Sequence, residues 1–289
     1  MDLCNIYEIR ELLERHGFHF SKSKGQNFLV QDWVPKEIVR QSGITKESGV
    51  LEIGPGIGPL TKELCKNAGR VVAVEVDEAL RPVLKETMAG ETNLEIIFGD
   101  ILRQNIPALV KEKFPGLRPA ACANLPYYIT SPILSALLES RSFSSVTVMV
   151  QKEVAERICS GPETSDYGAF SIFCQYYAEP ELLFEVPASC FLPQPKVTSA
   201  VLKLTVREHP TCKPKDTGLF FRTVHASFSA RRKTLLNGLK IGFPKLEKEE
   251  LVEILTSLGL DPGIRGETLG LPEFAEISDK IGEKLQEKD

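Results

Sequence analysis

Leu51-Glu52-Ile53-Gly54-Pro55-Gly56-Ile57-Gly58-Pro59-Leu60 sets three glycines on alternate positions directly after a short apolar run. A buried strand reads as such a run, and glycines let the backbone after it approach a ligand with no side chain in the way. Outward from this stretch, apolar runs bounded by turn residues recur at Val50–Ile53, Val71–Val74, Leu94–Phe98, Ala120–Ala123, Val146–Val150 and Ala200–Val206. Segments of helical length separate the first five. Strands alternating with helices predict βαβ units, hence an α/β domain with a sheet covered on both faces. Ser131-Pro132 ahead of Ile133-Leu134-Ser135-Ala136-Leu137-Leu138 predicts a helix with proline in its first turn, following the fourth strand. Beyond Val206 the pattern turns helical, after a polar stretch, Glu208 to Lys215, that holds two prolines and reads as a linker. The expected organisation is an α/β domain over residues 1–207 and a small helical domain over 208–289.

The spacing of the glycines narrows the ligand. A nicotinamide cofactor wants G-x-G-x-x-G, whose third glycine would fall at position 59, but Pro59 stands there and the glycine is Gly58. A pyrophosphate gains from a helix N-terminus, whereas a cofactor without phosphates needs only the close approach. S-adenosyl-L-methionine is such a cofactor. Glu75 closes the second strand, 21 residues after Gly54, where an acid can take both hydroxyls of a ribose. Asp77 reads better as the N-cap of the next helix. Gly99-Asp100 closes the third strand, and its carboxylate can accept from an adenine amine.

After the fourth strand stands Asn124-Leu125-Pro126-Tyr127. An exocyclic amine on a base is a poor nucleophile because its lone pair is delocalised into the ring. If the Asn124 side chain and the Leu125 carbonyl both accept its hydrogens, the lone pair is localised and aimed at an electrophile. Pro126 fixes the loop, and Tyr127 offers a flat face for a base. Each acid alone reads equally as a turn or cap residue, and N-x-P-Y as an ordinary turn. Four such features at successive strand ends point to one site.

Composition excludes several classes. No stretch approaches the roughly 18 apolar residues of a membrane span, and Met1 to Gly17 carries acids where a signal peptide has bases, so the expected location is the cytoplasm. Seven cysteines with no C-x-x-C pair indicate neither a disulfide framework nor a zinc site, and His16-x-x-His19 lacks ligand partners, so no metal is expected. The net charge of −4 argues against a general polyanion binder, yet charge is segregated. Arg207 to Lys240 holds eight Lys/Arg against two acids, while Ile241 to Asp289 holds six bases against twelve acids. Arg15, Lys22 and Lys24 lie in an acid-free segment up to Val30. Both basic segments read either as solvated faces or as phosphate contacts.

The chain resembles the rRNA adenine N6,N6-dimethyltransferases, and within them the KsgA-type group that acts on small-subunit (16S) rRNA. The resemblance spans nearly the whole length. Gly25-Gln26-Asn27-Phe28-Leu29 matches the family's N-terminal motif, whose Asn and Leu positions line the cofactor pocket, here Asn27 and Leu29. Glu52-Ile53-Gly54-Pro55-Gly56-Ile57-Gly58 matches the methionine-side loop, Glu75 the ribose acid, Gly99-Asp100 the adenine-side motif, and Asn124-Leu125-Pro126-Tyr127 the catalytic tetrapeptide, with Asn124 also beside the cofactor. Phe191-Leu192-Pro193-Gln194-Pro195-Lys196-Val197-Thr198-Ser199 matches an F-x-P-x-P-x-V-x-S motif whose Phe sandwiches the target adenine; Phe191 also reads as a plain core residue. Phe228 to Leu235, with Arg231, Arg232 and Lys233, matches a basic element that implies RNA contact. Position 128 is Tyr where many relatives carry Asn, and its role stays unassigned.

The resemblance implies a Rossmann-like class I methyltransferase domain with a helical C-terminal domain. It implies S-adenosyl-L-methionine as methyl donor, S-adenosyl-L-homocysteine as product, and as substrate two adjacent adenosines near the 3′ end of the rRNA in an immature small subunit, each methylated twice. No membrane and no obligate protein partner are implied. Transfer would be a direct in-line displacement needing no His or Cys nucleophile, onto an unpaired base drawn out of its stack. Three rivals are a large-subunit rRNA methyltransferase of the antibiotic-resistance type, a non-catalytic RNA-binding assembly factor on the same scaffold, and a dehydrogenase. The glycine spacing opposes the last, and the intact Asn124 and glycine loop oppose the second.

Overall fold

Valine-rich runs become the centre of a seven-stranded sheet. The computed structural model describes residues 1–20, 25–229 and 233–288. In chain order the strands are β1 (Phe28–Leu29), β2 (Ser48–Ile53), β3 (Arg70–Glu75), β4 (Leu94–Phe98), β5 (Arg118–Asn124), β6 (Ser145–Gln151), β7 (Ala178–Val186), β8 (Phe191–Leu192) and β9 (Ser199–Val206). The α-helices are α1 (Ile6–Arg15), α2 (Trp33–Ser42), α3 (Pro59–Asn67), α4 (Arg81–Thr87), α5 (Ile106–Lys113), α6 (Thr130–Glu139), α7 (Lys152–Cys159), α8 (Ala169–Tyr177), α9 (Thr217–Phe228), α10 (Leu235–Gly242), α11 (Lys248–Ser257) and α12 (Leu271–Gln286). Two compact units form, residues 1–155 with 179–206, and residues 156–178 with 207–289.

In the first unit the sheet order is β4-β3-β2-β5-β6-β9-β7. Parallel pairing joins β2 to β3 (Val50 opposite Val71) and to β5 (Val50 opposite Ala120), and β5 to β6. β9 runs antiparallel to β6, with Ser199 opposite Gln151. The order reverses between β2 and β5, the switch point where open α/β sheets bind ligands beyond their carboxyl ends. The glycine loop leaves β2 and the Asn124 loop leaves β5, so both open at that point. β2 is buried at every position because strands flank it and helices cover it. One core cluster gathers Val34, Ile38, Val50, Leu60 and Leu64; a second gathers Ile9, Leu12, Phe28, Ile57 and Leu80, bringing α1 against the glycine loop. The last turn of α1 is tied to α4 through Arg15 and His16, each 2.6 Å from a Glu86 carboxylate oxygen.

All six expected strands are present. β7 is an addition to them: Pro180 and the alternating acids of Ala178-Glu-Pro-Glu-Leu-Leu-Phe-Glu-Val186 hide a strand whose place at the sheet edge tolerates a proline.

The second unit is helical among the described residues. The chain passes into the second unit at 206/207, one residue before the boundary drawn from the sequence, and residues 156–178, placed by the sequence in the first domain, group with the C-terminal helices. Aromatic packing is the reason. Phe173, Tyr176 and Tyr177 meet Phe220 and Phe221 at centroid separations of 5.3 to 5.9 Å, and Tyr167 donates its hydroxyl to the Leu269 carbonyl at 3.0 Å. Such ring pairs add about 0.5–1.5 kcal/mol each beyond the area they bury. No helix among the described residues is long and apolar enough to cross a membrane.

Candidate active site

One cavity in the first unit is lined by residues from each of these strand ends: Asn27 and Leu29, Gly54 and Gly56, Glu75, Asp100, and Asn124 to Tyr127. The glycine loop turns with Gly54 at φ +68 and Gly56 at φ +60, conformations that side chains resist. A methyl group at Gly56 would lie 3.1 Å from the Phe28 ring, whereas one at Gly54 would meet nothing within 4 Å. The N-terminal motif therefore packs on the glycine loop while Gly54 faces open space.

Glu75, 4 % exposed, ties the strand end to this loop. Its Oε1 accepts from the Asp77 amide at 2.8 Å and its Oε2 from the Gly56 amide at 3.2 Å. Burial raises its pKa, opposed by those amides. Asp77 is the N-cap expected, accepting from Ala79 N at 3.1 Å, and its other oxygen accepts from Gln26 Nε2 at 2.7 Å. Asp100 likewise caps a short turn, accepting from Leu102 N at 3.0 Å, yet stays half-exposed on the cavity wall. Val76, 56 % exposed, and Ile101 each follow one of these acids and give the cavity apolar wall. An apolar residue directly after a strand-end acid is the signal that reveals them.

Asn124 ends β5, half-buried, and its Nδ2 donates to the Asn27 carbonyl at 3.3 Å. The amide nitrogen is thereby committed, which leaves Oδ1 as the acceptor. Leu125 is anchored through its amide to the Met149 carbonyl at 3.1 Å. The Pro126 carbonyl is engaged by Ile129 N and Thr130 Oγ1, both at 3.2 Å. Tyr127 is half-buried with its hydroxyl 2.6 Å from Ser199 Oγ, and burial raises its pKa.

Phe191, for which the sequence leaves open a place across the base from Tyr127 or in the core, is 2 % exposed, is not among the residues lining the cavity, and packs in the core cluster of Leu29, Val34 and Ile38. The reason is register: β8 pairs antiparallel with β1, Phe191 opposite Leu29, so its ring props the N-terminal motif from behind. The motif's last residue, Ser199, is fully buried and bound to Tyr127. Replacing Ser199 with Ala should leave a half-buried phenol unpaired and lower stability by about 1–3 kcal/mol, read by denaturant titration. Of the expected RNA contacts, Lys233 is exposed in the second unit, whereas Lys22, Lys24, Arg231 and Arg232 lie outside the described residues.

Glu52 drew notice in the sequence only as part of the glycine motif, but its environment is unusual. It is 1 % exposed, lines the cavity, and its Oε2 has no hydrogen-bond partner among the described residues. Burial is the main cause that raises its pKa to about 8; neighbouring Glu75 adds to the rise and Thr61 opposes it. The folded chain thus keeps a proton that the unfolded chain loses near its ordinary value of 4.5. Stability of the cofactor-free chain should fall as pH rises from about 4.5 to about 8 and level off above. Glu52→Gln should remove this slope, so that its stability advantage over the wild type, measured by denaturant titration, grows from pH 5 to pH 8.

The profile of the ribosomal RNA adenine dimethylase family matches residues 17–260. The chain belongs to that family. It is 46 % identical to ribosomal RNA small subunit methyltransferase A of Listeria monocytogenes serotype 4a over 99 % of both chains, and 48 % identical to the protein of the same name from Lachnoclostridium phytofermentans over 96 % of both. Among solved structures it is similar to a dimethyladenosine transferase from Plasmodium falciparum (TM-score 0.73, 25 % identity, covering 89 % of this chain and 98 % of that one). It is also similar to the 23S rRNA methyltransferase ErmE (TM-score 0.66, 25 % identity, covering 89 % and 100 %). The family and the Rossmann-like methyltransferase fold are those expected from the sequence motifs, and membership makes the chain an rRNA adenine dimethyltransferase.

Proposed function

We propose that this chain transfers methyl groups from S-adenosyl-L-methionine to N6 of two adjacent adenosines near the 3′ end of small-subunit rRNA, within an immature small subunit in the cytoplasm. The observation that carries the reading is the joining, in one cavity, of the glycine loop, the strand-end acids and the Asn124 loop. Their donor set fits the cofactor. Glu52 Oε2, buried and unpartnered, suits the ammonium of the methionine moiety. Glu75, held by two amides, retains lone pairs for ribose hydroxyls, and Asp100 suits the adenine amine. Asn27, Leu29, Gly54 and Gly56 supply the close-packed wall.

When bound, the cofactor supplies an electrophilic methyl on a sulfonium. The chain's own part is positioning. Asn124 Oδ1 and the Leu125 carbonyl accept the two hydrogens of the unmodified amine and, in the second transfer, one of them accepts the single hydrogen left; the Pro126 carbonyl, already engaged twice, is not needed for this. Each methyl added displaces one amine proton, which leaves after transfer. Tyr127, locked by Ser199, presents its ring to the base. The segments carrying Lys22 and Lys24, and Arg231, Arg232 and Lys233, would hold phosphates, so RNA affinity should fall with salt, with a log–log slope of about −0.7 to −0.9 per phosphate contacted.

A second reading, modification of large-subunit rRNA, is favoured by the likeness to ErmE. Incubation with labelled S-adenosyl-L-methionine and either small-subunit particles or large-subunit rRNA separates the two. Label should enter the small-subunit particles; label confined to large-subunit rRNA overturns the proposal.

A further inference from the structure

Two tyrosines stand side by side on the short turn Tyr127–Ile129, and the structure treats them in opposite ways. Tyr127 is turned inward, its hydroxyl bound to the fully buried Ser199. Tyr128 is 61 % exposed, yet it also lines the cavity. It is not a loose surface ring. A methyl group at Gly25 would lie 3.1 Å from its Cδ1 and 3.2 Å from its Cε1, and 3.5 Å from Pro126 Cβ. Backbone of the N-terminal motif thus sits against the ring edge and holds it at the cavity mouth. A single exposed aromatic is ordinary on a protein surface; what singles out Tyr128 is that its exposed ring lines the same cavity as Asn124.

The proposed rRNA substrate, on which this inference rests, has two adenosines in succession. Drawing one base out of its stack into the cavity strips its neighbour of a stacking partner, and this unstacking opposes extrusion. A ring fixed at the mouth can replace that partner, because every base has a π-face and stacking on an aromatic does not depend on sequence. We propose that Tyr128 is a subsite for the purine next to the target: it stacks the waiting adenosine while its neighbour occupies the cavity beside Asn124.

The test pairs the residue with the base. Small-subunit particles are assembled with rRNA carrying, beside one target adenosine, either the second adenosine or an abasic nucleotide, and kcat/KM for methylation of the target is measured with the wild type, Tyr128→Phe and Tyr128→Ala. Cofactor binding by calorimetry checks that each variant is folded. On the intact pair, Tyr128→Ala should lose about five- to one-hundred-fold while Tyr128→Phe stays within about threefold of the wild type. On the abasic substrate the wild type should fall to the level of Tyr128→Ala, which should fall no further. An equal Tyr128→Ala penalty on both substrates, or a Phe variant as impaired as Ala, overturns this subsite alone. No transfer by the wild type to unmodified particles overturns the rRNA reading as well.

Discussion

Replacing Asn124 with Ala is expected to lower methyl transfer by about 10²–10³-fold, the loss typical of removing one group aimed at a reacting centre. Cofactor affinity should stay within a few-fold of the wild type. The expectation rests on the amide's two ends. Nδ2 is spent on the Asn27 carbonyl at 3.3 Å, so the side chain cannot turn over without setting oxygen against oxygen, and Oδ1 is left for the target amine. Asn124→Asp should fail for the same reason, because either carboxylate oxygen placed at the Nδ2 position would face the Asn27 carbonyl. Single-turnover methylation with calorimetric cofactor titration checks both variants; undiminished transfer by Asn124→Ala would remove the amine clamp from the mechanism.

The second large effect is expected at Glu75. Glu75→Ala should weaken cofactor binding about 10²-fold or more, since it deletes a charged acceptor of ligand hydroxyls, each such bond contributing about 1.5–3 kcal/mol. It also frees the amides of Gly56 and Asp77, now held at 3.2 and 2.8 Å, so the glycine loop loses its tie to β3. Glu75→Gln is the informative control. Its carboxamide must turn one NH₂ toward an amide N–H, so it should recover only part of the affinity. A dissociation constant within threefold of the wild type for Glu75→Ala would exclude Glu75 from the cofactor site.

Much of this site was legible in the sequence because its residues sit at ends of strands that read clearly. Val71–Val74 is a continuous apolar run and Val50–Ile53 is broken only by Glu52, and the residues just after each run must lie at one sheet edge. Residues whose place depends on long-range pairing were not legible. Phe191 looks the same in sequence whether it faces a base or the core, and its burial shows only once β8 pairs with β1. Ser199 lies 72 residues from Tyr127, and its hydroxyl bond depends on β9 entering the sheet beside β6. Residues 156–178 come after a sheet strand and carry no linker, so their grouping with the C-terminal helices is set by rings at 173, 176 and 177 that meet partners some 45 residues later. Glu52 was hidden in a motif of glycines; its unpartnered oxygen exists only once β2 is buried on both faces.

Mass mapping of small-subunit rRNA after incubation of immature particles with the wild-type chain and labelled S-adenosyl-L-methionine, with Asn124→Ala alongside, tests the central claim most directly. The expected result is N6,N6-dimethyladenosine at two adjacent positions near the 3′ end with the wild type and none with the variant. Unmodified adenosines at both positions with the wild type, or the same two dimethyladenosines with Asn124→Ala, would contradict it.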